Sequence, residues 1–528
     1  MVHPLLILAL GIFCIIFMIA VLRLNAFLAL IVSAILVSLL APGETPEKIS
    51  RVATAFGGTV GNIGIVIALA VVIGKCMMDS GAADRIVRAF LRLLGEKRSA
   101  WALTTSGFVL SIPVFFDTVF YLLVPLARSM HRRTGRNYLK YCLAIAAGGV
   151  ITHSIVPPTP GPLVMAEQLG IDLGVMILFA TIIAVPPAFV GMAIASWMDR
   201  RMKIPMRPIG GGMQEPEPLP DSQLPGLMAS LLPIVLPVLL VSLNTAVSAV
   251  AKRDGQPAAV ASSTGRPAAA VASGVASDVG RPTEQAAQPP DAPRFWQRAA
   301  GIMAILGNPN FAMLLSAAIA MAVLKMQRGL TKARMADLID TSLMSGGIII
   351  LITAAGGAFG AMLKAARIGP AIEGLFQSGT GQQAGGIMFL VIGVVIASIM
   401  KIAQGSGTVA MTTASAMVAA MIPSLDSLGY PPVLLATAIG GGSMMGSWMN
   451  DSGFWVFVKM TGLTEAEGLK SWLPLVALTG FSCSLVSFVL ALTWQAPPHV
   501  RIWFWVLLVL VLGLAVVLPG RLGVRRET

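Results

Sequence analysis

Four polar interruptions in an otherwise apolar sequence hold the residues that could do chemistry. The first is Ser111-Ile-Pro-Val-Phe-Phe-Asp117. Pro113 breaks a helix there, and a carboxylate inside a membrane span costs at least about 2.5 kcal/mol, so Asp117 must face a cavity or a partner. That makes Asp117 a candidate proton or cation site; the plainer reading is an acid at a hairpin tip that reaches inner-face water. The second is His153-Ser-Ile-Val-Pro-Pro-Thr-Pro-Gly-Pro162. Its prolines predict that a helix ends here, leaving carbonyls that could ligate a cation, with Pro157, Pro158, Pro160 and Gly161 forming the loop. His153 could carry a proton, although a lone histidine fits a structural hydrogen-bonding role as well. Ser154 adds a hydroxyl.

The third interruption is Lys401-Ile-Ala-Gln-Gly-Ser-Gly-Thr408. Gly405 and Gly407 predict close backbone approach, Ser406 and Thr408 supply hydroxyls, and Gln404 an amide. The helix predicted to start at Val409 aims its N–H groups at an anion. Lys401 adds a full positive charge, so the group suits a carboxylate-bearing substrate; Lys401 also fits a snorkelling residue. The fourth is Ser447-Trp-Met-Asn-Asp-Ser-Gly-Phe454. Asn450, Asp451 and Ser452 offer oxygens to a hydroxyl, a cation or a proton, and the same residue types are preferred N-caps for a helix over 454–460.

The elements that position these groups must be membrane helices. Of 528 residues, 56% are hydrophobic and 12% charged, against about 25% charged in soluble domains. Leu5–Leu22, Ile63–Met78, Val175–Trp197, Leu473–Trp494 and Ile502–Leu518 are each long enough to cross a hydrocarbon core of about 30 Å. The net charge of +13 resides in short loops between apolar segments, which excludes a nucleic-acid partner and fits the positive-inside bias. Cys14, Cys76, Cys142 and Cys483 lie unpaired in apolar runs, so neither a disulfide framework nor a metal site is expected. No phosphate loop or zinc-hydrolase motif occurs; no cofactor and no enzymatic activity are expected.

Placing the basic loops 85–98, 128–140, 200–207 and 325–334 inside, with the basic tail, puts the N-terminus outside and makes 42–62 an outer connection. Trp101–Leu126 then lies between two inner loops and must turn back, as a re-entrant hairpin tipped near Asp117. Such irregular backbone is tolerated only within protein or beside a cavity. Lys75 and Asp79 sit at an inner span end, where they pair or face water, and Trp472, Trp494, Trp503 and Trp505 fit an aromatic belt.

The expected organisation is N-terminal spans over 1–61, a first membrane repeat over 62–198, an inner linker over 199–224 and a span over 225–250. A flexible, Ala/Ser/Gly/Pro-rich insertion over 251–298 follows. Then come a span and inner loop over 299–343, a second repeat over 344–495, and a last span with a basic tail over 496–528. Asp117-Thr-Val-Phe aligns with Gly407-Thr-Val-Ala at an offset of 290, Gly148-Gly149 with Gly441-Gly442 at 293, and Gly81 with Gly369 at 288. Opposite running directions of the aligned spans make this an inverted repeat, the arrangement that builds a midplane site in many secondary transporters. The fold class expected is therefore an all-α polytopic membrane protein, each repeat carrying a re-entrant hairpin and an unwound, broken helix.

Four ordered segments resemble the gluconate permease family of gluconate:proton symporters: 111–117, Val156-Pro-Pro-Thr-Pro-Gly-Pro162, Ala403-Gln-Gly-Ser-Gly-Thr-Val-Ala-Met-Thr-Thr413 and Asn450-Asp-Ser-Gly-Phe-Trp455. The resemblance spans nearly the whole chain outside 251–298. It implies a bacterial inner-membrane transporter of sugar or hydroxy acids driven by protons, within the ion transporter superfamily. Thr159 departs from it, standing where family members usually carry histidine. The resulting expectation is proton symport, with Lys401, Ser406, Thr408, Asn450 and Ser452 on the substrate and Asp117 or Asp451 taking the proton. Sodium coupling, an ion channel or a subunit of a multi-component uptake system are the alternatives. The apolar outer surface would suit a homodimer in the bilayer.

Overall fold

The computed structural model describes residues 3–95, 98–207, 220–255, 295–368, 371, 382–449 and 451–494. Asn450, Gly369 and the expected last span over 496–528 lie outside the described residues, as does the side chain of Gln404. The described chain is helical throughout, without strands.

In chain order the helices are α1 (Pro4–Ile16), α2 (Ala26–Leu40), α3 (Glu47–Asp79), α4 (Ala82–Leu94), α5 (Ser99–Leu110) and α6 (Phe116–Thr134). They continue with α7 (Tyr138–Ile155), α8 (Pro160–Gln168), α9 (Leu173–Met202), α10 (Leu227–Gly255), α11 (Phe295–Leu306) and α12 (Pro309–Arg328). The second half adds α13 (Lys332–Ala365), α14 (Gln382–Gln404), α15 (Gly407–Met421), α16 (Pro432–Gly442), α17 (Ser452–Thr461) and α18 (Glu465–Trp494). Among the described residues, eight helical segments are long and apolar enough to cross a bilayer. Leu6, Phe13, Leu178, Leu239, Leu314 and Phe481 are each at least half exposed, as side chains facing lipid must be.

Both halves repeat one order: a helix, a break, a second helix packed back toward it, then a helix broken in its course. In the first half these are α5, α6 and the α7–α8 pair; in the second they are α14, α15 and the α16–α17 pair. The halves interlock, since α6 packs on α17 while α15 packs on α8. α5, with 12 residues, spans only about 18 Å at 1.5 Å per residue, too short to cross the bilayer. Outside this pair of units α3 and α13, the longest helices among the described residues at 33 and 34 residues, lie against each other.

Glycine sets the closest approaches. A Cβ on Gly148 of α7 would lie 2.0 Å from the Thr104 carbonyl oxygen of α5, so the two backbones touch there as no larger residue permits. Its aligned partner Gly441 packs in the same way against α18, where a Cβ would meet Gly480 O at 2.6 Å.

Several sequence expectations need correction. The outer connection is short: α3 begins at Glu47, so 47–62 is helix, not loop. Leu5–Leu22 is α1 followed by a π-helical turn over Phe17–Val21. Within the expected insertion, 251–255 belongs to α10 and 295–298 to α11.

Candidate functional site

The four interruptions meet. One cavity of about 350 Å³ is lined by Phe115–Asp117, His153 and Ser154, by Lys401 and Gly405–Thr408, and by Ser443, Ser447 and Asp451–Gly453. Its volume falls within the roughly 300–1,000 Å³ range of small-ligand pockets. Each chain break brings its polar side chains here because the helix ends on either side point inward.

Ser406 starts α15: its hydroxyl oxygen accepts from the Val409 N–H at 3.3 Å, the expected cap for an orphan donor. Gly405, at φ +79°, makes the preceding turn, a conformation glycine adopts without strain. Gly407 is different from expectation. A Cβ there would sit 3.7 Å from Ser443 O, ordinary contact, so its smallness is not demanded by close approach.

Asp451 caps α17, accepting from the Gly453 N–H through Oδ1 at 3.1 Å. Its Oδ2 accepts from Lys401 Nζ at 2.8 Å and from the Ser447 hydroxyl. Lys401, 5% exposed, also donates to the Gly405 carbonyl at 2.5 Å. It is therefore a buried, ion-paired residue and not a snorkelling one. Asp117, in the first turn of α6, accepts from Ser452 Oγ at 3.1 Å, joining the hairpin of one half to the broken helix of the other. Both acids thus sit at helix N-termini, where the dipole favours negative charge.

His153 and Ser154 are helical, in the last turn of α7, not in a loop. His153 Nδ1 is buried without a hydrogen-bond partner, and the ring lies 5.8 Å from the Phe115 ring. Only Pro157 and Pro158 of the proline run occupy the break; Pro160 and Pro162 fall in the first turn of α8. Proline is tolerated there because a first-turn N–H has no intrahelical acceptor. The Thr159 hydroxyl donates to the carbonyls of Val156 at 2.7 Å and His153 at 3.0 Å. Two of the carbonyls at this break, Val156 O and His153 O, thus share the Thr159 hydroxyl as donor, and Thr159, 3% exposed, is absent from the cavity lining. Gly161 holds Met411: a Cβ there would lie 2.2 Å from the methionine Cε. Pro113 stands in the turn between α5 and α6, away from the cavity wall.

Trp472 overturns its assignment to an aromatic belt. It is 1% exposed, lines the cavity, and donates through Nε1 to Ser447 Oγ at 2.8 Å. Its ring packs on Phe116 and Phe457 at 5.4 and 5.2 Å. An indole buried beside polar groups needs an acceptor, but nothing in the linear sequence separates it from Trp494. Ser447, in the fourth interruption, and Met411, in the third helix run, are further lining residues that sequence reasoning did not select.

At the α6–α17 end, far along these helices from the cavity, buried Arg128 donates to Tyr138 Oη at 2.8 Å, and Tyr138 donates to Thr461 O at 2.6 Å. Arg128 also donates to Arg207 O at 2.8 Å, and the Arg207 guanidinium takes both oxygens of Glu467. This fastens α6, α7, α17 and α18 together. Lys75 and Asp79 pair at 2.9 Å on an exposed surface, away from the site. Among the described residues no cluster of His, Cys, Asp and Glu could hold a metal ion, and the four cysteines are unpaired.

The GntP family permease model matches residues 3–276 and 289–493. Among curated relatives, the low-affinity gluconate transporter of Escherichia coli is 30% identical, over 88% of this chain and 93% of its own. The gluconate permease of Pseudomonas aeruginosa is 30% identical over 85% and 89%, and an uncharacterized permease of Haemophilus influenzae 31% over 88% and 87%. Among solved structures, the Alcanivorax borkumensis YdaH transporter covers 92% of this chain and 98% of its own at TM-score 0.55 and 12% identity. Neisseria gonorrhoeae MtrF covers 93% and 95% at TM-score 0.54 and 14% identity. These two share the fold.

Proposed function

The chain belongs to the GntP permease family, a multi-pass transporter of the bacterial inner membrane and not an enzyme, and from this we propose that it takes up gluconate, or a closely related sugar acid, by proton symport. The observation that carries the reading is the composition of the cavity. Among the described residues it holds one ammonium, Lys401, two carboxylates, Asp117 and Asp451, and hydroxyls from Ser154, Ser406, Thr408, Ser443, Ser447 and Ser452. A hydroxylated monoanion matches that set: its carboxylate pairs with the ammonium and its hydroxyls bond the serines, the threonine and the acids.

Charge counting favours one coupled monovalent cation, and the two carboxylates let that cation be a proton. With Lys401, Asp117 and Asp451 ionised the cavity carries one net negative charge, and an incoming carboxylate raises it to two. A proton taken with the substrate leaves the charge unchanged. Asp117 and Asp451 are the groups able to take it. Sodium would balance the charge equally and would need a cage of oxygens, so uptake without sodium separates the two. Alternating access would carry the hairpins and broken helices against α3 and α13 as the two halves rearrange.

The experiment is uptake by proteoliposomes in sodium-free buffer, with an inward proton gradient and radiolabelled gluconate. Saturable accumulation, competed by other sugar acids and hydroxy acids in an order that ranks the substrate, is expected. No accumulation until a sodium gradient is supplied in a parallel assay, or non-saturable flux as in a channel, overturns the reading.

A further inference from the structure

We infer that Asp451 is the proton acceptor, and that it takes its proton when the substrate carboxylate displaces it from Lys401. This rests on the symport reading above and assigns the coupling within it. Among the described residues lining the cavity, Lys401 supplies the one ammonium or guanidinium, and Asp451 occupies it. Asp451 is in effect a resident carboxylate on the carboxylate-binding residue. A substrate carboxylate drawn to Lys401 competes with Asp451 Oδ2 and Gly405 O for the three N–H donors of the same Nζ.

The surrounding donors set the outcome of that displacement. Asp451 Oδ1 stays on the Gly453 N–H, because that bond depends on the helix cap and not on Lys401. Oδ2, released from the ammonium, gains one proton from a hydronium ion of the outer aqueous phase, whose O–H bond breaks to leave water. No electrons move; one O–H bond forms, and Lys401 stays an ammonium, now on the substrate. The new O–H needs an acceptor, and Ser447 Oγ has one. A hydroxyl carries one donor and two acceptor sites. While Asp451 holds Lys401, Ser447 accepts from Trp472 Nε1 and donates to Asp451. After displacement it accepts from both and turns its own proton to a substrate oxygen. Trp472 and Ser447 are thereby positioning residues that let Asp451 exist in either protonation state without an unmatched hydrogen bond.

The groups facing Asp451 from neighbouring elements are Lys401 on α14, Asp117 on α6 and His153 on α7. α15 and α16 carry no charge, and α18 presents Trp472 and Val476. Asp117 draws its hydrogen bond from Ser452 and not from Lys401, so substrate binding at Lys401 leaves that bond in place.

Gluconate affinity of the purified full-length protein, measured calorimetrically from pH 6 to 8, tests the assignment. Wild type is expected to bind about tenfold more tightly per unit fall in pH where one proton is linked. Asp451→Asn keeps the shape and the Gly453 cap; its affinity is expected to be independent of pH and no weaker than wild type at pH 8. Asp117→Asn is expected to keep the tenfold slope. Retention of the slope in Asp451→Asn, or its loss in Asp117→Asn, overturns the exchange while leaving symport standing. A wild type without slope sinks the symport reading itself. Should Asp451→Asn fail to fold, infrared difference spectra of Asp117→Asn decide: gluconate must raise a carboxylic-acid C=O band, and no band overturns the proposal.

Discussion

Lys401 Nζ lies 2.8 Å from Asp451 Oδ2, tying the last turn of α14 to the residue that caps α17 across 50 positions of sequence. Both side chains are largely enclosed, with 6% and 13% exposure. An ion pair so enclosed stabilises little in net terms, because desolvating both charges offsets most of their attraction, whereas removing one partner leaves the other stranded at about 3–5 kcal/mol. The pair is better explained by what it does when a third charge arrives.

Lys401→Gln removes the ammonium that both Asp451 and the substrate would use. Gluconate uptake is expected to fall by about 100-fold or more, since a charged hydrogen bond is worth about 1.5–3 kcal/mol and the buried partner is also left unpaired. Uptake assays normalised to membrane-inserted protein check this. A variant with near-normal uptake would remove Lys401 from the site.

Trp472→Phe keeps the packing on Phe116 and Phe457 but deletes the donor to Ser447. The loss of a hydrogen bond of about 1 kcal/mol predicts roughly fivefold weaker gluconate binding with normal thermal stability. An unchanged affinity would confine Trp472 to packing.

Thr159→Val is close in shape but lacks the hydroxyl that serves the His153 and Val156 carbonyls. Two buried acceptors lose their donor, so a stability loss of about 1–3 kcal/mol is expected, with substrate preference unchanged. Thermal melting of the detergent-solubilised protein and a competition panel measure the two effects separately. A changed preference would mean that the position reaches substrate.

Asp221 lies outside the spans, bonded by Arg88 and Arg92, and these bonds hold its carboxyl below the usual carboxylate range. A depressed value contributes stability that is present above the unfolded value of about 3.9 and is lost as pH falls through the folded one. Between pH 5 and 8 that contribution is constant. The difference in melting temperature between wild type and Asp221→Asn is therefore expected to be flat over this window and to shrink with added salt. A difference that varies across pH 5–8 would contradict the assignment.

The membrane class and the chain breaks were legible in the sequence, because apolar runs and proline or glycine interruptions report the local cost of leaving a helix unpaired. Long-range partners were not. Asp451 could be read as cap, ligand or proton carrier; its pairing with Lys401 depends on how α14 is set against α17, which no local pattern encodes. Trp472 was misassigned for the same reason, since tryptophan at the start of an apolar helix looks alike whether it faces headgroups or a buried serine. The proline run misled differently. Its four prolines read as one terminator, yet two of them begin α8, where the missing N–H costs nothing.

The most direct test of the account is proton movement with the substrate. De-energised vesicles containing the protein, given gluconate without sodium, should show alkalinisation of the external medium in step with gluconate entry. The signal should vanish in Asp451→Asn while gluconate exchange persists. Gluconate entry with no accompanying proton uptake in the wild type would contradict it.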